Sequence, residues 1–265
     1  MAVATFVDET IKYPLKLIEK TKVSPDSYVF RFELPSAKHI HGLKPHQHVR
    51  LHANVNGEEI SRKMTPISDN EIYGYMDLLI KVYDKTDQYP DGGLFTQHLD
   101  TLKIGEDLIM SGPVHKLYYE GEGQFAGRKV KHLAGRKFKN IILIGGGTGI
   151  TPLWQILAHS LKYDKEDINV WLLFANRTPK DVLMKKELDA LAAAYPRFHV
   201  WYTVSTPDEG WPYSVGYITK EMIATHLPKP SDDTITIVVG PPPMKREAVF
   251  PALEALGFKD ELIVR

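Results

Sequence analysis

Residues 141–157 read IILIGGGTGITPLWQIL. A short apolar run enters a glycine cluster, Gly145 to Gly149, and a second apolar stretch leaves it after Thr151-Pro152. The outer parts read as a buried strand and a helix. The middle reads as a tight turn. Glycines let a backbone approach a neighbour closely, and the start of the following helix offers free N–H groups at the positive end of its dipole. Such a turn suits a phosphate or pyrophosphate. Position 150 is Ile, so the turn does not match G-x-G-x-x-G, and the Gly-Lys-Ser/Thr of a P-loop is absent. A glycine-rich turn with no ligand is the alternative reading.

The surroundings of this turn repeat its pattern. Apolar strand candidates lie at 140–145, 168–174, 198–204 and 234–240, with helical segments between them. Strands so spaced imply βαβ units and a parallel sheet, whose ligands bind outside the carboxyl ends of the strands. One helix is expected over 178–195, with Thr178 as its cap, Pro179 in its first position and Asp181 in its first turn. After the last strand, Gly240-Pro241-Pro242-Pro243-Met244 forms a stiff turn before the segment 245–256. It reads either as a wall of the same crevice or as a rigid loop.

Residues 10–120 have a different periodicity. In 28–34, Phe30, Phe32 and Leu34 alternate with Arg31 and Glu33; in 48–55, Val49, Leu51, Ala53 and Val55 alternate with Arg50, His52 and Asn54. Period-two alternation marks strands with one buried face. Further strands are expected at 76–84 and 105–112, and Asn56-Gly57 marks a hairpin. Together they suggest a small antiparallel barrel or sandwich. Gly92-Gly93 open a helical stretch that contains Thr96, again a phosphate-binding pattern. Upstream, Arg62 is a fork suited to phosphate, and Thr65 is held extended by Pro66. The segment 121–140 is rich in Gly, Lys and Arg and reads as a connector.

The 265 residues carry 33 Lys+Arg and 33 Asp+Glu, and the resulting zero net charge gives no support to a nucleic-acid partner. The absence of cysteine excludes disulfides, thiolate metal sites and a cysteine nucleophile. No apolar run reaches the ~18 residues of a membrane span. The chain is therefore expected to be soluble and cytoplasmic, or to be the soluble part of a membrane-associated or multidomain protein. His46, His48 and His52 share strand parity with Arg50 and read as solvated histidines rather than a metal site, since no further ligand is evident.

Taken in order, RKMTPIS (62–68), IKVY (80–83), GGLFT (92–96), GP (112–113), GGGTGITP (145–152), FANRT (174–178), WYT (201–203) and GPPPM (240–244) resemble the flavin reductase module of the NADH–cytochrome b5 reductase and nitrate reductase family. The resemblance runs from about Tyr13 to the last strand. It implies an N-terminal antiparallel FAD-binding β-barrel over 1–120, a connector over 121–140, and a parallel-sheet α/β domain over 141–265 that binds a nicotinamide dinucleotide. Arg62 is implied to contact the FAD phosphates. Thr65 is implied to lie near the reactive edge of the flavin, beside Met64. Ile80, Lys81 and Tyr83 are implied to line flavin and nicotinamide, with Thr65 and Lys81 the catalytic positions. Gly93, Leu94, Phe95 and Thr96 match the turn around the FAD pyrophosphate, and Thr151 matches a hydroxyl that reaches the flavin. Gly146, Gly147, Thr148 and Gly149 match the dinucleotide phosphate turn. Gly240, Pro241, Pro242 and Met244 match the wall near the nicotinamide.

The activity so implied is hydride transfer from NADH to FAD, followed by single-electron transfer to a haem protein such as cytochrome b5. No His-Pro-Gly-Gly haem motif occurs in the chain, so the acceptor is expected elsewhere. The chain makes four departures from the family pattern: Met64 replaces an aromatic, Val239 a cysteine, His46 a glycine, and the pair Val114-His115 a small residue and glycine. They motivate a competing reading, a flavin-poor homologue serving as a binding or scaffold module. Aligned on WYTV (201–204), the position where the NADH-using members of the family often carry an acidic residue for the adenosine ribose is Ser205 here. NADPH is therefore expected to be rejected less strongly than by a homologue with the acid. Arg177 lies either beside that pocket or simply on the surface.

Overall fold

A computed structural model describes residues 2–87, 90–114, 117–164 and 167–265. The chain divides into two units, Met1–Lys116 and Leu117–Arg265. The first contains β1 (Val3–Ala4), β2 (Asp8–Ser24), β3 (Ser27–Glu33), β4 (His39–Ile40), β5 (His48–Val55), β6 (Glu58–Met64), β7 (Tyr75–Lys81), α1 (Leu94–Thr101) and β8 (Asp107–Val114). Its main sheet runs β6-β5-β8-β2-β3-β7, and its pairings are antiparallel.

Alternation decides which side of each strand is buried. Phe30 and Phe32 of β3, Val49 and Leu51 of β5, Leu78 and Ile80 of β7 and Met110 of β8 form one core with Phe95 and Leu99 of α1. Outward, Arg31 pairs with both carboxylate oxygens of Asp77 at 2.8 and 2.9 Å. Asn56 (φ 54°) and Gly57 (φ 87°) take the left-handed backbone of a two-residue hairpin turn. That turn pairs Val55 with Glu58, and hence Leu51 with Arg62 and Val49 with Met64. Beyond β6, Pro66 bridges Leu78, and the Ile67 N–H donates to the Asp77 carbonyl at 2.9 Å. These contacts join the two edges of the sheet into a barrel-like closure.

The second unit contains β9 (Tyr118–Gly121), β10 (Gln124–Ala126), β11 (Asn140–Gly146), α2 (Ile150–Tyr163), β12 (Asn169–Asn176), α3 (Lys185–Ala194), β13 (Phe198–Val204), β14 (Ser214–Val215), α4 (Lys220–His226), β15 (Thr234–Val239), α5 (Phe250–Ala255) and β16 (Ile263–Val264). The sheet order is β14-β13-β12-β11-β15-β16, parallel throughout. Ile141 to Ile144 are all buried, as the continuous apolar run of a central parallel strand requires. Ile142, Ile144, Leu173 and Val238 pack with Ile223 of α4 and Leu253 of α5.

Two stretches differ from the sequence reading. Residues 121–140 belong to the second unit and carry β10 and a 3₁₀ turn, Arg128–Leu133. Phe125, Val130, Leu133 and Phe138 are buried, so apolar residues spaced too irregularly to show a period still anchor this segment. The Tyr119 hydroxyl fixes it further by donating to Asp164 and accepting from the Gly123 N–H at 2.9 Å. Burial, then the bond to Asp164, push the Tyr119 hydroxyl pKa well above its ordinary value. The helix expected over 178–195 is broken. Thr178 and Asp181 do form a capping box, but it closes only the 3₁₀ turn Pro179–Asp181. Val182 and Leu183 then turn inward, Met184 adopts φ 57°, and α3 starts at Lys185.

Tyr119→Phe leaves the Asp164 carboxylate and the Gly123 N–H without this partner. The expected cost is about 1–3 kcal/mol, read as a lower urea midpoint for the second unit. An unchanged midpoint would show that the 121–140 segment is not fixed through this hydroxyl.

Candidate cofactor-binding sites

In the parallel sheet the strand order reverses between β11 and β15, which are neighbours although far apart in sequence. A crevice opens outside the carboxyl ends of the strands at such a point. β11 ends in Gly145-Gly146 and β15 runs into Gly240, so both turns singled out from the sequence meet there.

The glycines of the first turn serve different needs. A Cβ on Gly149 would lie 2.3 Å from the Val239 carbonyl oxygen, so this glycine lets two backbones touch. A Cβ on Gly146 would lie 2.6 Å from the Met244 sulfur and 3.1 Å from Pro241, and one on Gly240 would lie 2.5 Å from the Met244 methyl. The two glycines thus seat the Met244 side chain, which starts a π-type turn, Met244–Val249. Gly147 alone combines a left-handed φ of 54° with open space above its Cα. It faces the room a ligand needs. Thr148 lies in the short 3₁₀ turn that leads into α2. Thr151 is buried, its hydroxyl donating to the Thr148 carbonyl at 3.3 Å.

α2 has no side-chain cap and no acid in its first turn. The same holds for α1, which follows Gly93. By contrast, α4 is capped by Thr219 and has Glu221 in its first turn, and α3 has Glu187. An uncapped N-terminus leaves first-turn N–H groups and a positive dipole end for an anion; at α2 the Ile150 N–H is already taken by the Gly147 and Thr148 carbonyls.

In the first unit the Arg62 guanidinium lies over the Phe95 ring, 5.9 Å from its centre. An exposed cation from β6 therefore sits above the first turn of α1. Leu94 is exposed and Phe95 buried beneath it. The Thr96 hydroxyl is occupied: it accepts from the Tyr83 N–H at 3.2 Å and donates to the Gly93 carbonyl at 3.0 Å. It builds the turn, and a ligand would meet backbone N–H groups rather than this hydroxyl. Gly93 is required there, since a Cβ would lie 2.6 Å from Thr96 Oγ1 and 2.9 Å from the Tyr83 Cβ.

Farther along β6, Met64 is half-buried against the core and Thr65 is buried. Thr65 Oγ1 lies 2.6 Å from His48 Nδ1. His48, expected on a solvated histidine face, is the partner of Thr65. Counting back from the two-residue turn at 56–57 finds this pair, because the register continues past Val49–Met64. His46 is buried at φ 74°, its ring 5.5 Å from that of His48. His52 reaches Ser111 instead, and burial lowers its pKa. Among the described residues no group of three or more His, Cys, Asp or Glu could hold a metal.

The remaining positions are more limited. Ile80 lies in the core, which leaves only its backbone for a ligand. The Lys81 ammonium is 2.7 Å from an Asp26 carboxylate oxygen, a partner that no motif indicated. Tyr83 is half exposed beside the 92–97 turn. Ser205 is exposed at the end of β13, its N–H donating to the Asn176 carbonyl at 3.1 Å. His115 lies outside the described residues.

A closed antiparallel unit with a helix start under Arg62, followed by a parallel sheet with a glycine turn at its switch point, is the architecture of a two-unit dinucleotide-binding oxidoreductase. The oxidoreductase FAD-binding domain profile matches residues 14–119, and the oxidoreductase NAD-binding domain profile matches residues 143–249. The chain is 42% identical to NADH–cytochrome b5 reductase 2 of Xenopus laevis, covering 98% of this chain and 89% of that protein. It is 41% identical to the Homo sapiens protein of the same name, covering 98% and 96%. The crystal structure of the cytochrome b5 reductase domain of Ulva prolifera nitrate reductase superposes with a TM-score of 0.90 at 34% identity, covering 98% and 99%. The chain belongs to the NADH–cytochrome b5 reductase family. It is an NADH-dependent flavoprotein reductase that uses FAD. Among the described residues no helix is long and apolar enough to cross a membrane.

The two kinds of glycine separate experimentally. Gly149→Ala is expected to lower stability by about 1–3 kcal/mol through overpacking. Gly147→Ala costs about 1–2 kcal/mol of backbone strain but weakens nucleotide binding more. Urea titrations and nucleotide titrations of both variants check this, and equal effects of the two on nucleotide affinity would remove Gly147 from the site. Arg62→Ala is expected to weaken FAD about ten- to a hundredfold while the fold persists. Retention of flavin through dialysis as in the parent would overturn the placement of Arg62.

Proposed function

We propose that this chain oxidises NADH and passes the electrons one at a time to a haem protein of the cytochrome b5 type. The observation that carries the reading is the pair of uncapped helix starts, α1 under Arg62 and α2 after Gly147, each fit for a dinucleotide phosphate. Bound FAD would supply the chemistry, since it accepts a hydride from a nicotinamide and releases electrons singly.

The chain's own residues position and tune. Arg62 and the α1 amides would hold the flavin dinucleotide's phosphates. The His48–Thr65 contact fixes a hydroxyl at the end of β6, which would face the flavin's reactive edge. Lys81, restrained by Asp26, is a positioned positive charge at the end of β7. Gly147, Thr148 and the α2 start would take the phosphates of NADH, with Gly240 to Met244 as the wall of that crevice. No acid–base pair is required. The names of the relatives support cytochrome b5 as acceptor. Nothing in the fold or the relatives favours the flavin-free scaffold reading. The cytoplasmic location expected from the sequence remains part of the proposal, to be tested by fractionation.

The purified protein is expected to be yellow. Its flavin absorbance should bleach on anaerobic addition of NADH and return on addition of oxidised cytochrome b5, with two haems reduced per NADH. A colourless protein that takes up no added FAD would overturn the reading.

A further inference from the structure

The turn between β2 and β3 grips the end of β7 in two ways. β3 pairs with β7 as far as Ser27–Lys81. One residue earlier, the Asp26 carbonyl accepts from the Val82 N–H at 2.7 Å. The Asp26 carboxylate adds a second hold, its Oδ2 lying 2.7 Å from the Lys81 Nζ. The other oxygen, Oδ1, accepts from the Ser24 and Ser27 hydroxyls at 3.3 and 3.1 Å. Both oxygens of the carboxylate are therefore engaged, which fixes its orientation against the lysine.

The segment so held leads straight into the start of α1. Val82 is buried. The Tyr83 N–H donates to the Thr96 hydroxyl at 3.2 Å, and the Tyr83 carbonyl accepts from the Gly93 N–H at 2.8 Å and from the Gln97 side-chain amide at 2.9 Å. Lys81 thus brings its charge two residues before the one that carries the α1 turn. The Lys81 and Asp26 side chains are 23% and 28% exposed, so their charges are screened less than those of an open surface pair such as Lys259–Asp232, at 54% and 77%.

We propose that Asp26 is a positioning residue of the flavin site: its carboxylate holds the Lys81 ammonium in place and offsets part of its charge, and so sets the reduction potential of bound FAD. The proposal rests on the reading that the end of β7 stands beside the flavin, and deepens it. A hydride adds negative charge to a flavin ring. A cation at its side favours the reduced form, and a carboxylate against that cation weakens the effect. The main-chain bonds of Val82 and Tyr83 do not involve the carboxylate, so charge and frame can be altered separately.

The test is a redox titration of the flavin-loaded protein against a reference dye. Asp26→Asn keeps the shape and removes the charge, and is expected to shift the dye equilibrium at least about threefold toward reduced flavin. Lys81→Met is expected to shift it at least about threefold the other way. In the double variant the two changes are expected to compensate, and Asp26→Glu, which retains the charge, is expected to stay near the parent. Asp26→Ser takes the place of the amide variant if that one does not fold. An Asp26 that serves only the frame would lower the urea midpoint and leave the dye equilibrium unmoved. That result, or a shift of the same sign as that of Lys81→Met, overturns the proposal. If Lys81→Met moves the equilibrium and Asp26→Asn does not, only the role of Asp26 falls. If neither moves it, the placement of Lys81 beside the flavin falls as well.

Discussion

A helix that is to hold a phosphate must not cap itself. The N–H groups of its first turn are either satisfied by the chain's own side chains or left for a guest. This protein does both, in different places. α4 is closed by Thr219, whereas α1 and α2 follow glycine turns with no side-chain cap and no acid. The arrangement around those two starts serves to keep them open. Arg62 comes over Phe95 from β6, Thr96 ties its turn to Tyr83 and Gly93, and Met244 fills the notch that Gly146 and Gly240 leave.

The barrel half depends on one register. The Asn56-Gly57 turn allows one alignment of β5 with β6, and every cross-strand neighbour follows from it. A slip of one residue would send Leu51 out of the core and would also move Arg62 away from α1 and Thr65 away from His48. The core and the placement of both candidate residues are thus fixed by the same turn. The bridge from Pro66 to Leu78 then carries the end of β6 onto β7, so the two strands that hold the candidate flavin contacts are joined directly.

Several side chains turn out to hold the frame. The Thr96 hydroxyl is bound within its turn, and Ile80 belongs to the core. What these positions offer a ligand is backbone. Lys81 keeps its charge but is tethered to Asp26, which limits where that charge can lie. These motif side chains shape the main chain, and it is main-chain groups that the proposed phosphate sites would offer.

Local order was legible in the sequence because it depends on neighbours along the chain. Alternation gave the strands of the barrel, continuous apolar runs gave β11, β12, β13 and β15, and the glycine turn was placed at a strand end. Even the His48–Thr65 pair was contained in the hairpin count. Contacts between distant segments were not legible, since no period encodes them. Arg62 over Phe95, Lys81 with Asp26, and Arg177 beside Ser205 each join residues far apart in the chain. Tertiary packing also overruled two local signals. A sound capping box at Thr178 yielded only one turn because Val182 and Leu183 were drawn inward, and the Gly- and Lys-rich stretch before β11 was anchored by Phe125, Val130, Leu133 and Phe138. In both cases the burial of apolar surface, which only the folded chain defines, outweighed the propensity of the local sequence.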